Sequence, residues 1–248
     1  MAQHVVITGA GSGVGEAIAR AFAAEGAALT LIGRQAEPLE ARSRDIGGRV
    51  VSCDVTDSAA LTAAMADAAA AQGPVSVAVA NAGAATSKPF LQQQPADLAA
   101  MLDVNLHGVA NLWRACLPDM LSAGHGRLVA VASTAGLKGY GYVSGYCAAK
   151  HAVVGLTRAL AQEVAGRGVT ANAVCPGFVE TPMLRRSVDN IVEKTGLTPS
   201  DAESQLRQHN PMKRFVQAEE VASAVLWLAS AGASSVNGQA LAVDGGET

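Results

Sequence analysis

Charged residues make up only 16% of the 248 positions and aromatic residues only 4%. Lys and Arg number 18 against 21 Asp and Glu, a net charge of −3 with no basic cluster. Neither a nucleic-acid footprint nor a membrane-surface patch is expected from such a balance. Long apolar runs are missing too: stretches such as AALTAAMADAAAA are broken by Asp67 before reaching the ~18 residues of a bilayer span. The first residues, MAQHVVITG, pass directly into an apolar strand without a basic leader, so a cytoplasmic protein is expected. The four cysteines, Cys53, Cys116, Cys147 and Cys175, form no C-x-x-C and read as reduced core thiols. His4, His107, His125, His151 and His209 show no metal-ligand spacing, and no metal is expected. There is no G-x-S-x-G elbow for a hydrolase and no G-K-[ST] for a P-loop nucleotidase.

What is abundant is aliphatic. Half of the residues are hydrophobic and 26 are glycine, enough for a large core and against disorder. Short β-rich runs fall at 4–8, 28–32, 49–53, 75–80, 127–133, 170–175 and 239–244. Helical patterns lie near 14–25, 58–71, 97–121, 146–165 and 218–230. The runs at 75–80 and 127–133 are almost wholly apolar, as in strands covered on both faces of a parallel sheet. Alternating strands and helices predict right-handed βαβ units in a single-domain α/β Rossmann fold, a doubly wound seven-stranded parallel sheet over 1–248. The longest stretch without a strand, 176–238, holds a polar portion expected to form a substrate lid over 183–212.

Directly after the first strand comes TGAGSGVG, residues 8–15, with the pattern T-G-x-x-x-G-x-G. Gly9, Ser12, Gly13, Val14 and Gly15 are therefore candidates to cradle a pyrophosphate at a helix N-terminus, although such a loop can also be a plain turn. The second strand ends LTLIGR, with Gly33 where an NAD site usually offers an acid and Arg34 suited to a 2′-phosphate. NADP is favoured, with NAD the alternative if Arg34 is only a solvated surface residue.

The stretch SGYCAAK puts Tyr146 and Lys150 one turn apart on a helix, a spacing that chance also supplies. Its context narrows the choice. TGAGSGVG, CDV at 53–55, NAG at 81–83, Asn105 in DVNLHG, Ser133 thirteen residues before Tyr146, PG at 176–177 and VDGG at 243–246 together resemble the short-chain dehydrogenase/reductase family along essentially the whole chain. The resemblance implies that Asn105, Ser133, Tyr146 and Lys150 are catalytic, with Tyr146 and Lys150 also touching the cofactor. It implies that Asp54 and Val55 border the adenine and that Asn81, Ala82 and Gly83 steady the sheet against the cofactor. Pro176, Gly177, Val179 and Thr181 would line the nicotinamide and phosphates. A homotetramer is implied, with the helices at 97–121 and 146–165 and the 239–244 strand as interfaces. Taken singly, a serine ending a strand is often a helix cap and an asparagine inside a helix often bonds a carbonyl.

Ketone reduction places negative charge on oxygen, so an acid must deliver a proton there. A free tyrosine titrates near pH ~10. A lysine ammonium ~4 Å away would favour the phenolate by up to ~4 kcal/mol at an effective dielectric of ~20, at most about three pKa units. On this reading Ser133 binds the substrate oxygen, Tyr146 moves the proton, and Asn105 holds a water that relays protons to Lys150. Leu137, Tyr142, Val143, Met183 and Leu184 suggest a hydrophobic carbonyl substrate. Arg185 and Arg186 are either a contact for a CoA- or carrier-borne phosphate or a solvated basic turn. VCPGFVETPM resembles 3-oxoacyl and polyketide ketoreductases, favouring a 3-oxoacyl thioester or related ketone. An NAD-dependent secondary-alcohol dehydrogenase and, more remotely, a non-catalytic dinucleotide-binding regulator are the alternatives.

Overall fold

The computed structural model describes residues 3–248. The apolar runs become strands β1 (His4–Thr8), β2 (Ala28–Gly33), β3 (Arg49–Ser52), β4 (Val77–Ala80), β5 (Gly126–Val131), β6 (Val169–Pro176) and β7 (Ala240–Val243). They form one sheet in the order β3-β2-β1-β4-β5-β6-β7, every pairing parallel. The order reverses between β1 and β4, so a crevice opens at the carboxyl ends of those two strands.

Helices α1 (Gly13–Ala24), α2 (Ala36–Ile46), α3 (Ser58–Gln72), α4 (Pro95–Leu102), α5 (Gly108–Ala123), α6 (Ser144–Val164), α7 (Pro182–Thr195), α8 (Pro199–Arg207) and α9 (Ala218–Ala229) complete the chain. One sheet face is covered by Leu61, Met65, Leu112, Trp113, Met120 and Val153 from α3, α5 and α6. The other is covered by Ile18, Phe22, Leu39, Val221, Val225 and Leu228 from α1, α2 and α9. Each large aliphatic or aromatic side chain removed from water in this way contributes about 1.5–3 kcal/mol.

Three features depart from expectation. Helix α2 falls in a segment without a helical pattern, because Leu39 is its only buried residue. The pattern at 97–121 is interrupted by a π-helical turn, Asp103–His107, that carries Asn105. The polar stretch expected as a lid folds into α7 and α8, each with proline in its first turn and a threonine N-cap.

The sheet edge at β7 is held by a buried amide. Asn172 Nδ2 donates to Val236 O at 2.8 Å, and Gln239 N donates to Asn172 Oδ1 at 3.0 Å. Asn172→Leu strands both backbone groups, at about 1–3 kcal/mol each. Urea unfolding of the variant is expected to show that loss.

Candidate active site

The loop after β1 is shaped by close backbone approach. Gly9 adopts φ +68, and a Cβ on Gly15 would sit 2.2 Å from Gly9 O and 2.5 Å from Asn81 Nδ2. Asn81 returns the contact, its Nδ2 donating to Thr8 O at 3.0 Å and Gly9 O at 3.3 Å. Thr8 Oγ1 accepts the N–H groups of both Asn81 and Ala82 at 3.0 Å. Gly13 packs against Thr181, the N-cap of α7, whose side chain a Cβ on Gly13 would approach to 3.2 Å. Ser12, the exposed and extended N-cap of α1, makes no side-chain cap, so no side chain claims the first-turn N–H groups of Gly13, Val14 and Gly15 over the crevice. An open helix N-terminus at the strand switch point fits a dinucleotide pyrophosphate.

Further along the sheet edge, Arg34 is exposed just past β2 and close enough to Asp54 to act on it electrostatically. The Thr56 N–H and hydroxyl both donate to Asp54 Oδ1 at 2.9 Å and hold its carboxyl below the usual carboxylate range. Val55 is buried against Gly108, and its carbonyl accepts from Asn111 Nδ2 at 2.9 Å.

The four expected catalytic residues converge beyond β4, β5 and the start of α6. Lys150 is buried, its Nζ donating to Val131 O at 2.8 Å and lying 5.7 Å from the centroid of the Tyr146 ring. Asn105, fully buried in the π turn, donates to Ala84 O at 2.9 Å and Met101 O at 3.0 Å and accepts from Ala84 N at 3.3 Å. A Cβ on Gly83 would stand 2.7 Å from Asn105 Oδ1 and 3.7 Å from Lys150 Nζ, so glycine there lets the two side chains share one space. Ser133 caps a short 3-10 turn, its Oγ accepting from Ala135 N at 3.1 Å, and also acts on the Tyr146 phenol. The commonplace roles of a cap and a carbonyl partner are thus both present, without excluding the chemical ones.

The electrostatics correct one expectation. The phenol of Tyr146 is raised, not lowered: burial outweighs the opposing Ser133 interaction, and Cys147 and Cys175 add to the rise. Burial likewise pushes the Lys150 amine down to about 8. Proximity to Lys150 does not lower the phenol because both groups leave water together, and removal from water penalises each charged form. Tyr146 is therefore held as the protonated acid at neutral pH.

Of the expected pocket residues, Leu137, Val143 and Met183 are half-buried, whereas Tyr142 is 68% exposed. Tyr142 has φ +67, a strained conformation for a non-glycine residue, and its carbonyl accepts from Lys88 N at 2.7 Å. Lys194, at the end of α7, reaches across to Ser87 O at 3.3 Å. Arg185 lines a cavity of about 470 Å³ with Leu184, Arg207, Lys213, Arg214, Glu180, Asp189 and Glu203. That cavity touches Thr181 but none of Asn105, Ser133, Tyr146 and Lys150. Pro176 ends β6, and Val179 forms a bridge with Val216, so the two ends of the segment holding α7 and α8 are tied together. Gly177 faces the segment after β7: a Cβ there would lie 3.2 Å from Glu247 Oε2. Tyr140, His209 and Glu247, with no local motif to announce them, meet next to Thr134 from distant positions.

A glycine loop at the switch point of a parallel sheet, with a half-buried Tyr146 beside the buried Lys150 beyond it, defines a dinucleotide-dependent oxidoreductase. A family model described as Enoyl-(Acyl carrier protein) reductase matches residues 9–248. The chain is 42% identical to galactitol 2-dehydrogenase (L-tagatose-forming) of Cereibacter sphaeroides, over 98% of this chain and 93% of that protein. It is 36% identical to a putative ketoacyl reductase of Streptomyces coelicolor, over 97% of this chain and 95% of that protein. A crystal structure of an actinorhodin polyketide ketoreductase variant with NADPH superposes with a TM-score of 0.95 at 34% identity, covering 99% and 97% of the two chains. The chain belongs to the short-chain dehydrogenase/reductase family, whose members are oxidoreductases acting on alcohols and ketones with a nicotinamide cofactor. Among the described residues, no helix is long and apolar enough to cross a membrane.

Two outcomes test this geometry. Gly83→Ala, which drives a methyl into the space between Asn105 and Lys150, is expected to lower turnover more than thermal stability, read by steady-state kinetics beside a melting curve. Lys150 titrates near 8 when folded and near ~10.4 when unfolded. The unfolded chain thus holds the extra proton between those values, and stability rises with pH through that window. Urea midpoints at pH 8 and pH 9.5 should show a rise in the wild type that is smaller in Lys150→Met.

Proposed function

We propose that the protein is an NADP-preferring oxidoreductase that interconverts a hydrophobic ketone and its secondary alcohol, with a 3-oxoacyl thioester or related carbonyl compound as substrate. The observation that carries this reading is the meeting of half-buried Ser133 and Tyr146 with buried Lys150 at one site. When bound, the nicotinamide supplies or accepts the hydride. Ser133 Oγ holds the substrate oxygen as charge gathers on it. Tyr146, kept protonated by burial, donates its proton to that oxygen in reduction and takes it back in oxidation. Lys150, its amine drawn down to about 8, would in its protonated form stabilise the phenolate left behind and would hold the cofactor ribose. Asn105 fixes the backbone at Ala84 and steadies the floor beside Lys150.

Gly9, Ser12, Gly13, Val14, Gly15, Asn81, Ala82 and Thr181 would hold the pyrophosphate and the sheet edge against it. Arg34, exposed at the end of β2, and Asp54 would border the adenosine, and Pro176, Gly177 and Val179 the nicotinamide. The preference for NADP rests on Arg34 and on Gly33 in place of an acid; the NADPH named with the actinorhodin ketoreductase supports it. The thioester reading is supported by the ketoacyl reductase relative. The galactitol dehydrogenase relative favours a second reading, an alcohol dehydrogenase for a smaller polar substrate. We also propose a homotetramer, on the family's habit, and a cytoplasmic location, on the four free, buried cysteines.

Absorbance at 340 nm with β-keto thioesters, aryl ketones and polyols, each with NADPH and NADH, separates these readings. Tyr146→Phe should reduce kcat about 10²–10⁴-fold; unchanged turnover rejects the mechanism. Arg34→Ala removes a charge-assisted phosphate contact and should raise KM for NADPH roughly 10–100-fold with little change for NADH. An NADH preference that Arg34→Ala does not alter rejects the NADP reading.

A further inference from the structure

Beyond β7 the chain is folded back by a buried carboxylate. Asp244 accepts the N–H groups of Gly246 and Thr248 at 2.9 Å and the Thr248 hydroxyl at 2.8 Å. Gly245 and Gly246, at φ +68 and +90, make the reversal. It drives Glu247 inward until its charged side chain is 1% exposed. A carboxylate leaves water only where partners replace the solvent. Here the Tyr140 hydroxyl donates to Oε1 at 2.5 Å, and Lys138 Nζ pairs with the same oxygen at 3.0 Å. Lys138 Nζ also donates to Glu247 O at 3.3 Å. His209 Nδ1 stands 3.8 Å from Oε1. The Tyr140 oxygen is bonded in turn to the Thr134 hydroxyl at 2.7 Å, and Thr134 directly follows Ser133.

Aromatic rings close the cluster. Tyr140, Phe178 and His209 pack on one another with centroids 5.7–6.0 Å apart. The carboxylate therefore joins the turn that carries Ser133, the loop after β6 and the end of the lid. Gly177 leaves it just enough room.

We propose that Glu247 is a positioning residue of the active site: it clamps the Ser133 turn through Tyr140 and Thr134, and docks the lid onto that turn through His209. The catalytic half rests on Ser133 holding the substrate oxygen; the lid half does not. Charge-assisted bonds are short and directional, so the clamp sets where the Ser133 turn lies, not merely that it is folded.

Glu247→Ala and Glu247→Gln test both halves. For the lid, trypsin cleavage at Arg185, Arg186, Lys194 and Arg207 is timed without substrate. Cleavage in Glu247→Ala should be at least about fivefold faster, the cost of local opening having fallen; an unchanged rate overturns the proposal whether or not any substrate is turned over. For catalysis, kcat should fall roughly 10–100-fold in Glu247→Ala, the scale of a misplaced catalytic group, with the Kd for NADPH within twofold of wild type. Glu247→Gln keeps an acceptor for Tyr140 and should recover most of kcat. A kcat within twofold of wild type in Glu247→Ala, or a loss shared equally by NADPH binding, overturns the positioning role. Should Glu247→Ala fail to fold by circular dichroism, Tyr140→Phe removes the bond to the Ser133 turn and is read by kcat and the Kd for NADPH, while His209→Ala removes the lid contact and is read by trypsin cleavage. A wild type inactive on every ketone while its lid still loosens in Glu247→Ala would sink the proposed reaction and leave the lid contact standing.

Discussion

The carboxyl edge of the sheet depends on how tightly β1 and β4 are stitched together beyond their last ladder pair. Thr8 takes two N–H groups from the segment after β4, and Asn81 donates in return to the carbonyls of Thr8, the last residue of β1, and of Gly9. That stitching leaves no room for a Cβ on Gly15, so α1 must begin where its uncapped end faces the crevice. The helix position, the open donors and the neighbouring Gly83 all follow from one close approach.

Burial then sets the chemistry. A tyrosine and a lysine brought together in water would favour the ion pair; here both neutral forms gain instead, because each charged form is desolvated. An acid that stays protonated is set to deliver its proton to a carbonyl oxygen, the reductive direction; oxidation needs the phenolate. The site's specificity must come from the surrounding loops and from α7 and α8.

Most of this arrangement was legible in the residues. Strand positions and the single domain followed from apolar alternation, and the Tyr146–Lys150 pair gained meaning from its distance to Ser133. What escaped was of two kinds. Helix α2 was invisible because a surface helix with one buried leucine has almost no hydrophobic stripe. The Glu247 cluster was invisible because its members lie up to 109 positions apart and meet only when the chain returns from β7. The acidity of Tyr146 was misjudged because spacing gives proximity and says nothing of solvent.

The π turn at Asp103–His107 bears on how the long segment between residues 95 and 123 is used. A π turn takes one residue more than an α turn, which shifts helical phase by about 100°. On one side of it α4 packs against α6, the helix bearing Tyr146 and Lys150; on the other α5 packs against α3, β4 and β5. A single added residue thus divides a would-be continuous rod into a part that braces α6 and a part that shields the sheet. Asn105 stands on the seam between them.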